Sequence, residues 1–245
     1  MTDAAPRISK DIIPVPEPLF FLDRNQKRPQ RNPISKLLEA FSLTRAPEAA
    51  DWRKDGYTGP VRSQGTCQSC TAHATAAMYE AWSRRYNQPA SVAGPFLHKC
   101  VGGVDCAQGL DPVRLMKRAV GRVAPPWVNS DPWPGAQCAI ANGFRLLKLR
   151  EIVDEADAKS TLAGKSPVVA SLEISANFYK LDSEIYIPDG PAVGDHAICL
   201  VGFGPEGWIA QNSFGPGWGA GKGFFQLGYG VGNILRPGFS AIAIS

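Results

Sequence analysis

The chain has 245 residues, long enough for one large domain or for two lobes that share an interface. Hydrophobic residues at 44% and charged residues at 20% lie in the ordinary globular range, which excludes a disordered or fibrous class. The 26 Lys and Arg and 22 Asp and Glu leave a net charge of +4, spread thinly and without a basic stripe, so no nucleic-acid partner is expected.

No apolar run approaches the roughly 18 residues that a membrane span needs, so no membrane partner is expected either. Asp3, Arg7, Lys10 and Asp11 interrupt the N-terminus before an apolar segment of about 7 to 15 residues can form, and no secretory signal is read there. A removed leader, another export route and retention inside the cell all stay open at this point.

Residues 1–50 form a separate arm. Pro6, Pro14, Pro16, Pro18, Pro29, Pro33 and Pro47 keep most of it extended, because proline fixes φ and removes a donor. One helix is expected in it: Asn32 caps, Pro33 suits the first helical position, and Ile34, Leu37, Leu38 and Phe41 share a face. That stripe is either a permanent element of the fold or a pro-segment lying over a cleft.

From Cys67 to about Tyr86 the chain is Ala-rich and free of Pro and Gly, which predicts one long helix with Cys70 in its first turn. Ala72, Ala76, Ala77, Met78 and Trp82 supply its apolar face. Between Val92 and Gln137 short helices are expected near Pro95–Val101 and Pro112–Val120, with loops elsewhere and no sheet. The character then changes. Strands are expected over Phe144–Val153, Pro167–Ile174, Ala197–Gly204, Trp208–Asn212, Gly223–Leu227 and Ala241–Ile244. Helices first and strands afterwards predict an α+β domain over residues 51–245, with a helical lobe over about 60–140, an antiparallel sheet or barrel over about 141–245, and a cleft between them.

Cys70 is the candidate nucleophile. A helix N-terminus stabilises a thiolate through its unpaired N–H groups and dipole, which predicts a low thiol pKa. The Cys70 amide and the side chain of Gln64 can both donate to a developing oxyanion. Three histidines bound the choice of base. His73 sits on the nucleophile's own helix, badly placed to reach the thiol from across a cleft. His98 reads as a surface or capping residue. His196 opens a strand in Gly194-Asp195-His196-Ala197-Ile198, a rigid mount for a base, and Asn212 ends the next strand with an amide oxygen able to fix the imidazole tautomer.

These residues resemble the papain-like cysteine peptidase family. The likeness runs through Asp51-Trp52-Arg53, Gly59-Pro60-Val61, Gln64-Gly65-Thr66-Cys67-Gln68-Ser69-Cys70, Asp195-His196-Ala197 and Asn212-Ser213-Phe214-Gly215-Pro216-Gly217-Trp218-Gly219. The separations of His196 and Asn212 from Cys70 fall close to the family's roughly 130 to 150 residues. The resemblance implies a two-lobed fold and a cysteine endopeptidase that works through an acyl-enzyme on extended peptides. Cys70 then matches the nucleophile, His196 the general base and acid, Asn212 the orienting amide and Gln64 the oxyanion donor. It further implies that Ser69, Gln108, Gly109, Ser171, Asp195, Ala197, Phe214 and Trp218 line the substrate groove. Ser171 and Ala197 would leave room for an apolar side chain two places upstream of the cleaved bond, over a floor near Leu235–Phe239.

The same resemblance pairs Cys67 with Cys106 and Cys100 with Cys138, leaves Cys199 buried, and with the two bridges implies a secreted or otherwise oxidising destination. Departures from the family pattern are Gln68 and Thr71 around the nucleophile, Gln108 in place of a glycine on the groove wall, and Phe214 in place of a tryptophan that shields the orienting amide. A wetter contact between His196 and Asn212 is expected from the last. A catalytically impaired relative that binds a peptide or partner in the groove, and an acyl transferase using the same residues, are the alternatives. No metal or organic cofactor is implied, a monomer with a peptide or protein substrate is expected, and the arm is expected to occupy the cleft.

Overall fold

The computed structural model describes residues 47–127, 138, 142–236 and 238–245. The helix expected over Ile34 to Phe41 lies outside the described residues.

Helix α1 (Cys70–Arg85) is the axis of the first lobe. It starts at Cys70, not at Cys67, because the disulfide Cys67–Cys106 and the bonds Gln68 N to Cys106 O (2.8 Å) and Ser69 N to Cys67 O (2.7 Å) hold the preceding residues in turns. Arg84 and Arg85 stand in its last turn, where the carbonyl end favours cations. The helix is buried almost all round, with Ala72, Ala74, Ala76, Met78, Tyr79 and Ala81 in one core. Around it sit α2 (Gly94–Phe96), a π-helical turn (Leu97–Val101) and α3 (Pro112–Ala119), the last capped by the Asp111 carboxylate accepting from Arg114 N. The disulfide Cys100–Cys138 ties this lobe a second time.

The second lobe is one sheet. Strands β4 (Leu149–Glu151), β10 (Ala241–Ile244), β5 (Val168–Ser175), β7 (Ala192–Gly204), β8 (Gly207–Gln211), β9 (Phe224–Gly228) and β6 (Ile185–Tyr186) run in that order, and β1 (Ala50–Asp51) adds to β7. Every pairing is antiparallel except β6 with β9, which corrects the all-antiparallel expectation. The alternation of side chains lets the central strands serve two cores. Val169, Cys199, Val201, Ile242 and Ile244 pack with α1, whereas Val168, Ala170, Leu172, Ile198, Leu200 and Ala243 pack on the opposite face. Several elements differ from expectation, β1 and β6 among them. Strands β2 (Val123–Ala124) and β3 (Phe144–Arg145) pair where the first had been expected as loop, and α4 (Glu155–Gly164) covers the sheet behind the Asp154 cap.

The lobes are joined by specific bonds. Strand β1 pairs with β7, Trp52 Nε1 donates to Leu162 O at 2.8 Å, Ser63 bridges Phe214, and Ser240 Oγ donates to the Asp111 carboxylate at 2.6 Å. These bonds set the start of α1 against the middle of β7.

Candidate active site

Cys70 is the first residue of α1 and fully buried. Its sulfur lies within reach of the Ala197 N–H on β7, and of the N–H groups of Thr71 and Cys70 itself. Those donors pull the thiol pKa down, but burial dominates and pushes it up to about 11. Burial thus opposes the ionised sulfur expected from the helix start.

His196 lies beside Ala197 on β7, also fully buried. Its Nε2 meets Asn212 Oδ1 at 2.8 Å, and the same oxygen accepts from Ser213 N at 2.8 Å. An amide oxygen only accepts, so Nε2 carries the proton and Nδ1 keeps a lone pair. Nδ1 has no hydrogen-bond partner among the described residues. Burial holds the imidazole down at about 4 against the raising effect of Asn212. Burial therefore favours the neutral form of both the thiol and the imidazole.

The contact between His196 and Asn212 is dry, contrary to expectation. Phe214 packs 5.0 Å from the imidazole and Phe178 5.4 Å from it, with Trp218 5.0 Å from Phe178. Phe178 supplies the apolar cover that the missing tryptophan was expected to withdraw. Tyr179, next in the chain, stacks on Phe214 at 5.9 Å and 12° and lies within the field of Cys70. Neither Phe178 nor Tyr179 was legible as a site residue, since no motif marks the 3-10 turn (Ala176–Lys180) that carries them.

Gln64 is held at the mouth of this arrangement. Its Oε1 accepts from Ser213 Oγ at 2.6 Å and its Nε2 donates one hydrogen to Cys67 O at 2.7 Å, leaving the second hydrogen free to donate. Ser69 precedes Cys70 and is buried, its hydroxyl 3.1 Å from His73 Nδ1. Ser171 pairs with Ala197 across β5 and β7, is buried, and donates to Ser240 O at 2.8 Å. Asp195 is buried on β7 opposite Glu173. Trp218 is buried and donates to Phe178 O at 3.1 Å. Gln108 is exposed and Gly109 half-buried in the turn after Cys106. Leu235 and Phe239, the expected floor, are buried.

His73 and His98 stand apart from Cys70's base. His98, expected at the surface, is buried, and its Nε2 donates to Asp105 O at 3.0 Å. On that side of Gln64 and Ser69 opens a cavity of about 890 Å³, walled also by Trp127 and Pro216. Among the described residues no group of three or more metal-ligating side chains comes together, and no helix is long and apolar enough to cross a membrane.

A two-lobed α+β protein with a buried thiol at a helix start, set against an imidazole–carboxamide pair on a sheet, is the class that fold and site define. The chain belongs to the papain family of cysteine proteases, whose family model matches residues 46–236. Cathepsin K of Gallus gallus is 30% identical over 204 residues, covering 75% of this chain and 59% of the relative. Cysteine proteinase 3 of Solanum lycopersicum is 29% identical over 203 residues, covering 75% and 56%. The chain therefore spans a little under three fifths of the length of these relatives. Among solved structures, the ragweed pollen cysteine protease Amb a 11 in its proform shares the fold at a TM-score of 0.67 and 22% identity, over 83% of this chain and 68% of that one. The Carica candamarcensis cysteine protease in complex with E-64 does so at 0.67 and 24%, over 81% and 99%.

Proposed function

We propose that the protein is a cysteine endopeptidase that hydrolyses peptide bonds through an acyl-enzyme on Cys70. The observation that carries this reading is the His196 tautomer: Asn212 Oδ1 accepts from Nε2–H and leaves an unpartnered Nδ1 lone pair, one residue before the Ala197 whose N–H reaches the Cys70 sulfur. The thiol proton moves to Nδ1 as the sulfur attacks the substrate carbonyl carbon. The Cys70 N–H and the free Gln64 N–H hold the oxyanion. The imidazolium then gives its proton to the leaving amine. Water, deprotonated by Nδ1, attacks the thioester, and the returning proton restores the thiol and releases the acid.

The groove is read as running past Ser69, Gln108 and Gly109 on the helical side and past Ser171, Asp195, Ala197, Phe214 and Trp218 on the sheet side. Small Ala197 beside Ser171 supports an apolar residue two places upstream of the cleaved bond. The two disulfides support an oxidising compartment. The arm, up to about Leu43, is read as restraining activity by occupying the groove, and the protein as a monomer acting on peptides or proteins.

Labelling with E-64, an epoxide that alkylates activated thiols, tests the assignment. Native protein is labelled once, labelling is lost in Cys70→Ala and in His196→Ala, and it persists in His73→Ala. Equal labelling of native protein and His196→Ala would overturn the choice of base.

A further inference from the structure

Beside Asn212 lies a small cavity with about 10 Å³ of room, the scale of one water molecule. Arg62, His73, Gln211 and Asn212 all line it. Each presents a buried polar atom with no hydrogen-bond partner among the described residues: Arg62 Nε, His73 Nε2, Gln211 Oε1 and Asn212 Nδ2. Four unpartnered atoms around so small a space is an unusual concentration, since buried polar groups are ordinarily satisfied.

The polarity of each atom is set by bonds made elsewhere. Asn212 Oδ1 accepts from His196 and Ser213, so Nδ2 is a donor. Arg62 Nε–H is a donor, the guanidinium being held by Glu80 at 2.8 Å and Ser91 Oγ at 3.2 Å through Nη2. His73 Nδ1 lies 3.0 Å from the Ser69 carbonyl and 3.1 Å from the Ser69 hydroxyl; donation to the carbonyl, which can only accept, puts the proton on Nδ1 and makes Nε2 an acceptor. Gln211 Nε2 donates to Pro60 O at 3.4 Å, which turns Oε1 into the cavity wall as an acceptor. The set is two donors and two acceptors, the complement of water's own four bonds.

We propose that this cavity is the site of a single structural water that accepts from Arg62 and Asn212 and donates to His73 and Gln211. On the reading that Asn212 orients the catalytic imidazole, His73 and Gln211 become positioning residues that act through the water on the carboxamide. Its Oδ1 is fixed by Ser213 N, and the water fixes the opposite end, so the amide is clamped against rotation at both ends. The clamp also gives a reason for a histidine on the nucleophile's own helix that never reaches the nucleophile.

Two experiments decide the matter. A high-resolution crystal structure of the full chain is expected to show one ordered water at about 2.6–3.2 Å from all four atoms. Dry density there, or direct pairing among the four side chains, would overturn the site. For the positioning role, His73→Leu removes the acceptor and His73→Gln can return one. On a small peptide substrate His73→Leu is expected to lower kcat about tenfold with KM little changed, and His73→Gln to recover most of it. Equal kcat in native protein and His73→Leu, or equal losses in Leu and Gln variants, would sink the positioning role. The crystallographic result stands whether or not the protein cleaves peptides, so an inactive protein with the water in place would count against the proposed activity alone.

Discussion

At the scale of single residues the site is governed by desolvation. His73 and His196 are held at about 4 and His98 below its ordinary value, in each case mainly by burial. A histidine whose folded pKa is depressed binds fewer protons than the unfolded chain, so it stabilises fully above the unfolded pKa of 6.5 and loses that contribution as pH falls toward 4. For His73 the full effect is about 3 kcal/mol, or roughly 6–12 °C in Tm for a domain of this size. Melting temperatures measured from pH 7 down to pH 4 should therefore fall, and His73→Phe should fall less steeply; parallel curves would refute the argument. Asn212→Ala is a second test at this scale. It strands a buried Nε2–H and frees the imidazole, so kcat/KM should drop about 10- to 100-fold, while a near-native rate would show that the aromatic cover alone holds the ring.

At the scale of elements, close backbone approach decides what the strands tolerate. Strand β7 is crossed by β1 at Gly202, where an added Cβ would stand 2.3 Å from Ala50 O. Gly202→Ala should cost about 1–3 kcal/mol in denaturant unfolding, through separation of β1 from the sheet; an unchanged midpoint would mean that β1 contributes nothing. The same scale shows what local pattern can and cannot announce. Strand β10 and helix α3 were legible, β10 from its apolar run and α3 as a short helix near Pro112. Helix α1 was legible too, but its first residue is set by the Cys67–Cys106 bridge rather than by propensity. Helix α4 carried a readable signal, with Asp154 capping and Asp157 three residues on, yet the apolar stretch before it masked the change of element. Strand β6, two residues paired in parallel with β9, has no local signature. Cys70, His196 and Asn212, proposed as the catalytic trio, could be picked out because each sits in its own motif. Phe178, Tyr179 and the cluster of Arg62, His73, Gln211 and Asn212 were not, since only the tertiary fold brings them together.

At the scale of the whole molecule, strain and covalent restraint are unevenly shared. Both disulfides involve cysteines of the helical lobe, and each closes a loop of sequence separation 39 or 38, worth about 4 kcal/mol in the chain-entropy account. Reduction should therefore speed hydrogen exchange in α1 to α3 well before it does so in β5, β7 and β8, and uniform loosening of both lobes would contradict this division. The arm poses the last question at this scale. The family model matches residues 46–236, and the arm up to about Leu43 lies outside that match. Their proline-rich sequence favours extended chain, the conformation a peptide groove accepts, and an intramolecular peptide competes at high effective concentration. If the arm occupies the groove, the chain beginning at Ala46 should cleave a small peptide substrate at least about tenfold faster than the full chain, with the difference in KM because a tethered competitor raises apparent KM. A synthetic peptide of the arm added to the shortened chain should then inhibit competitively. Equal rates for the two chains would mean that the arm serves some purpose other than restraint.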